Sequence, residues 1–523
     1  MWISLLCFIS LLGLKVTAQQ PFTLAEIEDQ IAAYQRNHGV SAVGVSAAGP
    51  PVKCSLACAF LNSTISGSTS FRGSSRYKLD GSRYWSLQQT ASDPVCRVVP
   101  TSVVDVSTAI LSFRVTNCQF AIKSGGHAAF SGASNINGGV TLDLKQLNQL
   151  SVAGDRKQIA VGPGNSWGDV YSFLDPQSLS VIGGRVSDVG VGGLTLGGGI
   201  SFFSGHWGWA CDNVNNFQVV FADGTINDVN FKSFPDLYWA LRGGGNNFGV
   251  VTQFDLVTFP QSDLWAGSNI YLYTTDLARQ FNTAFSDLNI AADPKAAAIF
   301  VYAYSQSFGS WAIVTDLQYT EPEPNPLIFQ NFTQPSKVVA STLRLTSMAG
   351  AASELNASNP YGFRQTYWTM TFKNSPTLMS DISAMFIEEI DQIKTIPDLV
   401  SSLVFQPITT AITSHFSKYG GNSLGFNDRD GPLTLMQIDI SWIDTQNDDR
   451  VMSAARSVIS RANTTAYAQN LGHPYIYQNY ASAEQNVFKG YGEQNLLKLQ
   501  EISRKYDPSR VWQDLQPGFF KIF

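Results

Sequence analysis

The chain is short of charge. Of its 523 residues only 14% are Asp, Glu, Lys or Arg, and the formal net charge is −6. No block of Lys or Arg stands out, so the electrostatic footprint of a nucleic-acid binder is missing and no such partner is expected. Histidine is scarce as well: there are five, and none stands at ligand spacing from the Cys54/Cys58 pair. A zinc site needs such donors close together, so no metal is expected. The usual nucleotide signatures are also missing. There is no Gly-x-x-x-x-Gly-Lys-Ser/Thr, and no Gly-x-Gly-x-x-Gly set between a strand and a helix with an acidic residue at the right distance. Apart from one run near the start, no segment is long and apolar enough to span a bilayer, which takes about 20 residues. That run, residues 5–14, is itself too short and leads into Val16-Thr17-Ala18, a small-residue cleavage pattern. Residues 1–18 therefore read as a signal peptide of a secreted protein with no stable membrane insertion.

What the chain does have is apolar mass and glycine: 44% hydrophobic residues, 12% aromatic and 43 glycines. This is enough for large cores in two or three domains of about 150 residues each. Sequons at Asn62, Asn331, Asn356 and Asn463 are candidate glycosylation sites of an exported chain. Cys54, Cys58, Cys96 and Cys118 cluster early, which suggests one or two disulfides with three possible full pairings. Cys211 stands alone and reads as a buried core thiol.

Residues 24–36 carry helical periodicity, and the stretch up to about Ser92 is polar and small. From Cys96 the pattern sharpens into a strand, a capped helix and the alternating strand CQFAIKS, which runs into IKSGGHAAFSG. VTLDLKQL and QIAVGPG read as strands, and WGDVYSFLDPQ as a helix ended by Pro176. Residues 180–214 hold ten glycines, a density that excludes regular helix or strand and suits a backbone lying flat against a ligand. NFQVVFADGTIND is a hairpin turning at Asp223-Gly224. Beyond Trp265, alternating strands mix with helical patterns such as Ile382, Met385, Phe386, Ile390, Ile393. This is the texture of an α+β domain on an antiparallel sheet. YIYQNY reads as a tyrosine-dense strand, followed by a helix that stops at Asp507-Pro508.

Several glycine loops in one region suggest a large flat ligand bearing phosphates. The order FAIKSGGHAAFSGASN, GVTLDL, VGPG-x-x-W, GGR-x-x-x-VGVGGLTLGGGIS, GW-x-CDNV, FADG and WALRGGGNNFGVVT resembles the flavin domain of the berberine-bridge-enzyme-like oxidases of the vanillyl-alcohol-oxidase/p-cresol-methylhydroxylase superfamily. The tail YQNYA…YGEQNLLKLQEISRKYDPSRVW resembles that family's C-terminal segment. The likeness is close over residues 96–258 and the tail, and loose between them.

The resemblance implies an α+β fold with a two-part flavin-binding domain (19–263), an α+β substrate domain on an antiparallel sheet (264–470), and a C-terminal segment (471–523) returning to the flavin domain. It implies FAD bonded covalently through His127. Its cofactor-binding set here is Lys123, Ser124, Gly125, Gly126, His127, Ser131, Gly132, Gly190, Gly192, Gly193, Gly197, Gly198 and Val250. Neutral imidazole is a good nucleophile toward the electrophilic 8α-methyl of oxidised flavin. Many relatives attach the flavin a second time through a cysteine, where this chain has Val186; no second bond is expected. Tyr480 is the expected proton acceptor and Asn479 the neighbour of the flavin's pyrimidine edge. Gln406 and either Gln437 or Asp439 are expected to roof the substrate face, since buried polar groups in apolar strands have hydrogen-bond duties. Tyr475 and Tyr477 read as core, and His206 and His415 as packing or surface residues.

The expected activity is a secreted FAD-linked oxidation of a small molecule. A hydride leaves a C–H next to O or N, and dioxygen is the acceptor. An oligosaccharide oxidase forming a lactone is the first alternative. A flavin-fold binding scaffold or redox-neutral cyclase is the second.

Overall fold

The computed structural model describes residues 21–38, 50–65, 67–334 and 338–523. The signal-peptide expectation falls outside these residues. Three sheets organise the chain. The first is built around a βαβ unit. Strand Cys96–Val98 leads through helix Val103–Thr116 to strand Phe120–Lys123, and both strands pair in parallel with Val140–Asp143 between them. The helix starts where a capping box demands it, with Ser102 and Asp105 bonding each other's backbone N–H, and it stops at Asn117, which takes a left-handed φ of 51°. It is buried on nearly every side because helices Leu24–Asn37 and Pro50–Thr64 cover its outer face. Disulfides Cys54–Cys118 and Cys58–Cys96 staple Pro50–Thr64 to this unit. Cys211 is free and buried.

The second sheet is six-stranded and antiparallel, centred on the long strand Val250–Pro260. The hairpin of Val214–Val220 and Ile226–Val229 lies along one side of it, with Gly224 at φ 83° in its turn. The third sheet has nine strands, from Leu264–Leu272 to Gly472–His473. Helices Thr275–Ala291, Pro376–Ile393 and Asp448–Ala468 bury their apolar stripes on its outer face, among Phe300, Tyr302, Leu403, Phe405 and Ile438. Because side chains alternate along a strand, residues one position away from these point the other way, toward the first two sheets.

Three expectations need correction. Residues 180–214 are not wholly irregular: strand Leu179–Val181 and a one-turn-plus helix, Val191–Leu196, fall within or across them. Helical Gly costs about 1 kcal/mol relative to Ala, and the burial of Val191 and Thr195 offsets it. YIYQNY is not a strand. Its end is a 3-10 turn, Gln478–Tyr480, because its side chains bond the backbone of other loops instead of its own backbone joining a ladder. The polar stretch before Ser92 folds as helices Pro50–Thr64 and Ser75–Gly81, the first held by its cysteines rather than by a strong amphipathic stripe. Pro176 sits inside a 3-10 turn, Asp175–Gln177, after the helix has ended at Leu174. Among the sequons, Asn62 and Asn331 are exposed and Asn356 is half-buried. Asn463 lies inside helix Asp448–Ala468, its Nδ2 donating to the Ile459 carbonyl at 3.0 Å.

The pairing gives a direct test. Non-reducing peptide maps should link Cys54 to Cys118 and Cys58 to Cys96, with Cys211 alkylated only after unfolding. Replacing Cys58 and Cys96 together by Ser releases a loop of 38 residues' separation and should lower stability by about 4 kcal/mol in a denaturant titration.

Candidate active site

Between the bare face of the nine-stranded sheet and the glycine loops lies a cavity of about 570 Å³, in the range of cofactor and small-molecule sites. Its floor is backbone. Strand Phe120–Lys123 ends in Ser124-Gly125-Gly126-His127, and this loop lies flat on residues 189–193. A Cβ on Gly125 would sit 2.5 Å from the Gly190 nitrogen, and one on Gly190 would sit 2.3 Å from the Gly125 nitrogen. No other residue type fits either place. Ser124 locks the contact by donating to the Pro163 carbonyl at 2.6 Å and accepting from the Gly192 N–H at 3.2 Å. Gly126 turns the chain with φ 73°, which presents His127 to the cavity.

His127 is stacked on Trp85, ring centroids 4.4 Å apart and planes 11° from parallel. Trp85 is itself anchored by its indole N–H on the Asn359 carbonyl at 3.2 Å. Burial lowers the imidazole to about 3, so it is neutral. Its Nδ1 is enclosed and has no hydrogen-bond partner in the protein. A buried polar atom without a partner is costly, and here it belongs to a ring that lines the cavity. Gln478 is a second case: both atoms of its amide are enclosed and unpartnered, and the residue lines the same cavity. These orphans, with a floor on which a flat group can lie, fit a large planar, hydrogen-bonding cofactor such as FAD.

The sequence-predicted residues divide cleanly. Ser124, Gly125, Gly126, His127, Gly190, Gly192, Gly193 and Val250 line the cavity, as do Tyr480, Asn479, Gln406, Gln437 and Asp439. The others support the wall from behind. Lys123 is buried in an ion pair with Asp143 at 3.1 Å. Ser131 bonds Ser92, and Gly132 backs the tail at Gly518. Gly197 packs on Asn479 and Gly198 on Trp209, each too close for a Cβ. Asn479 donates to the Leu194 carbonyl at 3.0 Å and to the Tyr477 hydroxyl at 3.1 Å. Tyr477 in turn accepts from the Gly199 and Ile200 N–H groups at 3.2 Å each. Tyr475 and Tyr477 are core residues. His206 bonds the Thr320 hydroxyl, and His415 the Gly205 carbonyl, away from the cavity.

The roof gathers the polar side chains. Arg185 is buried and donates through one nitrogen to Gln406 Oε1 at 2.5 Å and to the Tyr480 hydroxyl at 2.8 Å. It therefore ties the glycine region, the sheet and the tail together at one point. Tyr367 stands edge-on to Tyr480, centroids 6.0 Å apart, and in register with Asp439 across the sheet. Burial, then the nearby Asp439 carboxyl, push the Tyr367 phenol well above its usual range. Asp439 Oδ1 is enclosed and unpartnered, and burial raises its carboxyl to about 7. Asp316, also on the roof, is raised to about 7 by burial against the opposing help of Ser268 and Arg185. Trp85, Arg185, Asp316, Tyr367 and Gln478 were not singled out in the sequence. Only Arg185 left a trace there, as a lone cation in an otherwise apolar glycine stretch.

Comparison with known proteins agrees with this geometry. Residues 94–230 match the FAD binding domain family. The FAD-dependent monooxygenase tpcD of Cochliobolus heterostrophus is 36% identical over 491 residues, covering 90% of this chain and 94% of its own. Among solved structures, 6-hydroxy-D-nicotine oxidase from Arthrobacter nicotinovorans superposes with TM-score 0.72 at 17% identity, covering 88% of this chain and 98% of its own. The glucooligosaccharide oxidase of Acremonium strictum, described with a 6-S-cysteinyl, 8α-N1-histidyl FAD, gives 0.71 at 19% identity, covering 89% and 98%.

The raised carboxyls predict a pH effect on stability. An Asp whose folded pKa lies near 7, above an unfolded value of about 3.9, holds its proton longer in the folded state, so stability falls as pH rises from about 4 to 7. Asp439→Asn removes that loss. Its melting temperature should exceed wild type by more at pH 8 than at pH 5. A constant difference across this range would rule out a buried, titrating Asp439.

Proposed function

Because the chain belongs to the FAD-dependent oxidoreductases of the vanillyl-alcohol-oxidase type, we propose that it is a secreted oxidase holding FAD by one covalent bond, at His127, and taking a hydride from a C–H beside O or N of a small molecule. The observation that carries this reading is the neutral imidazole of His127 lining the cavity beneath the Tyr480–Arg185–Gln406 roof. On this reading residues 19–263 bind the flavin, 264–470 roof the substrate, and 471–523 close the site.

FAD, held by His127 and the glycine floor, would supply the acceptor for the hydride, with dioxygen as the final electron acceptor. The protein's own residues handle the proton. Tyr480 accepts it from the substrate O–H or N–H as the C–H bond breaks. A tyrosine takes that proton only as phenolate and becomes phenol on doing so; Arg185 already donates to the phenolic oxygen, the contact that stabilises the phenolate form. Gln406 holds the guanidinium in place through its Oε1. Asp439, titrating near 7, is suited to pass the proton on from the closed end of the roof. Val186 offers no thiol, so His127 is the single attachment point. The two disulfides support passage through an oxidising compartment, and the described residues contain no helix long and apolar enough to cross a membrane.

Acid precipitation should give a yellow pellet from wild type and a colourless one from His127→Ala; free FAD in the wild-type supernatant, or flavin on a cysteine peptide, would overturn the single histidyl bond. Tyr480→Phe should keep the flavin and slow its anaerobic reduction by substrate by a factor on the order of 10² to 10⁴. Reduction at the wild-type rate would place the base elsewhere.

A further inference from the structure

Strand register maps two rows of the roof. Gln437 stands opposite Val404, Val404 opposite Val301, Val301 opposite Val314, and Val314 opposite Ile270. The next row runs from Asp439 through Ser402, Ala303 and Ala312 to Leu272. With neighbouring strands about 4.8 Å apart, each row is roughly 19 Å long. The polar residues are all at one end. From Val404 and Ala303 onward both rows are aliphatic, and they do not stop at the cavity wall. Ile270 is 38% exposed and Leu272 63%, while Tyr271 between them is 1% exposed on the opposite, helix-covered face. Val301, Ala303, Val314 and Val404 line the cavity itself. The exposed pair therefore continues the cavity's own face into solvent.

A sugar needs donors and acceptors along its whole length, and this strip offers none. Beside the strip, Asp316 and Ser268 also line the cavity and are committed within the protein: Ser268 donates to Asp316 at 3.3 Å, and the Gln318 amide donates to its other oxygen. We propose that the substrate is an amphiphile, with its oxidisable carbinol or amine carbon at the Tyr480–Asp439 end and an alkyl or fused-ring body along Val404, Val301 and Val314 toward Ile270 and Leu272. This rests on the oxidase reading above and names the substrate class of that site.

The test uses flavin-loaded protein and a series of 4-alkylbenzyl alcohols, ethyl to octyl, with cellobiose and chitobiose as sugar controls. Binding is read anaerobically from the perturbation of the flavin absorbance. Each added methylene should tighten binding about three- to fourfold. In the double variant Ile270→Gln, Leu272→Gln, both exposed positions outside the cavity wall, the short members should bind as in wild type and the gain for the longest should disappear. A flat series, a full length dependence in the double variant, or tighter binding of either disaccharide than of the octyl alcohol would each overturn the proposal. The two readings fail separately. Length-dependent binding without flavin reduction keeps the amphiphile and sinks the oxidation; reduction by short alcohols with a flat series does the reverse.

Discussion

Everything in this site hangs on two glycine backbones touching. Gly125 and Gly190 approach so closely that neither could carry a Cβ, and Ser124, next to Gly125, bolts the contact to a third loop at the Pro163 carbonyl. The contact brings the end of a parallel strand, carrying His127, against the start of the helix Val191–Leu196. It leaves a floor with no side chains standing on it. A flat cofactor can lie there because nothing projects, and His127 can reach it because Gly126 supplies the positive φ that turns the chain. Any side chain at Gly125 or Gly190 would part the loops, and the histidine would lose its aim.

The roof then faces a problem of charge in a dry place. The Arg185 guanidinium is buried, and among the described residues no carboxylate is bonded to it; it donates to the oxygens of Gln406 and Tyr480. Two carboxyls, Asp316 and Asp439, sit in the same sheet face and answer burial by holding their protons to about 7. Contrast Arg242 below the floor: it is fully buried, pairs with Asp212 at 2.9 Å, and donates to the Cys211, Lys418 and Gly421 carbonyls. Every donor there has a structural partner, so that pair stiffens the loop and has nothing left for chemistry.

The floor was legible in the sequence because glycine at close approach leaves a compositional mark and the loops occur in order. The cavity-lining residues Ser124 to His127, Gly190 to Gly193, Gln406 and Asp439 were found that way or by their polarity in apolar strands. What stayed hidden depends on pairing across long distances. Trp85 meets His127 through a segment whose helices have almost no amphipathic pattern. Tyr367 matters only because register sets it opposite Asp439, and register cannot be read from one strand. Gly197, Gly198 and Lys123 carry the same local signal as the lining residues yet face Asn479, Trp209 and Asp143 instead. Local composition marks a close approach without saying what is approached.

The tail shows the same ambiguity from the other side. YIYQNY has the composition of a strand, yet a strand there would have spent its alternate residues on two faces. The 3-10 turn at Gln478–Tyr480 instead breaks the alternation, so that Gln478, Asn479 and Tyr480, three consecutive residues, all line one cavity. Period-two geometry forbids that arrangement. The turn is held from outside: Tyr477 takes two N–H groups from the Gly199-Ile200 loop, and Asn479 bonds the Leu194 carbonyl. The glycine region that forms the floor therefore also dictates the shape of the tail that carries Tyr480. Loosening that region should displace Tyr480 as well as the flavin, so floor and roof act as one part.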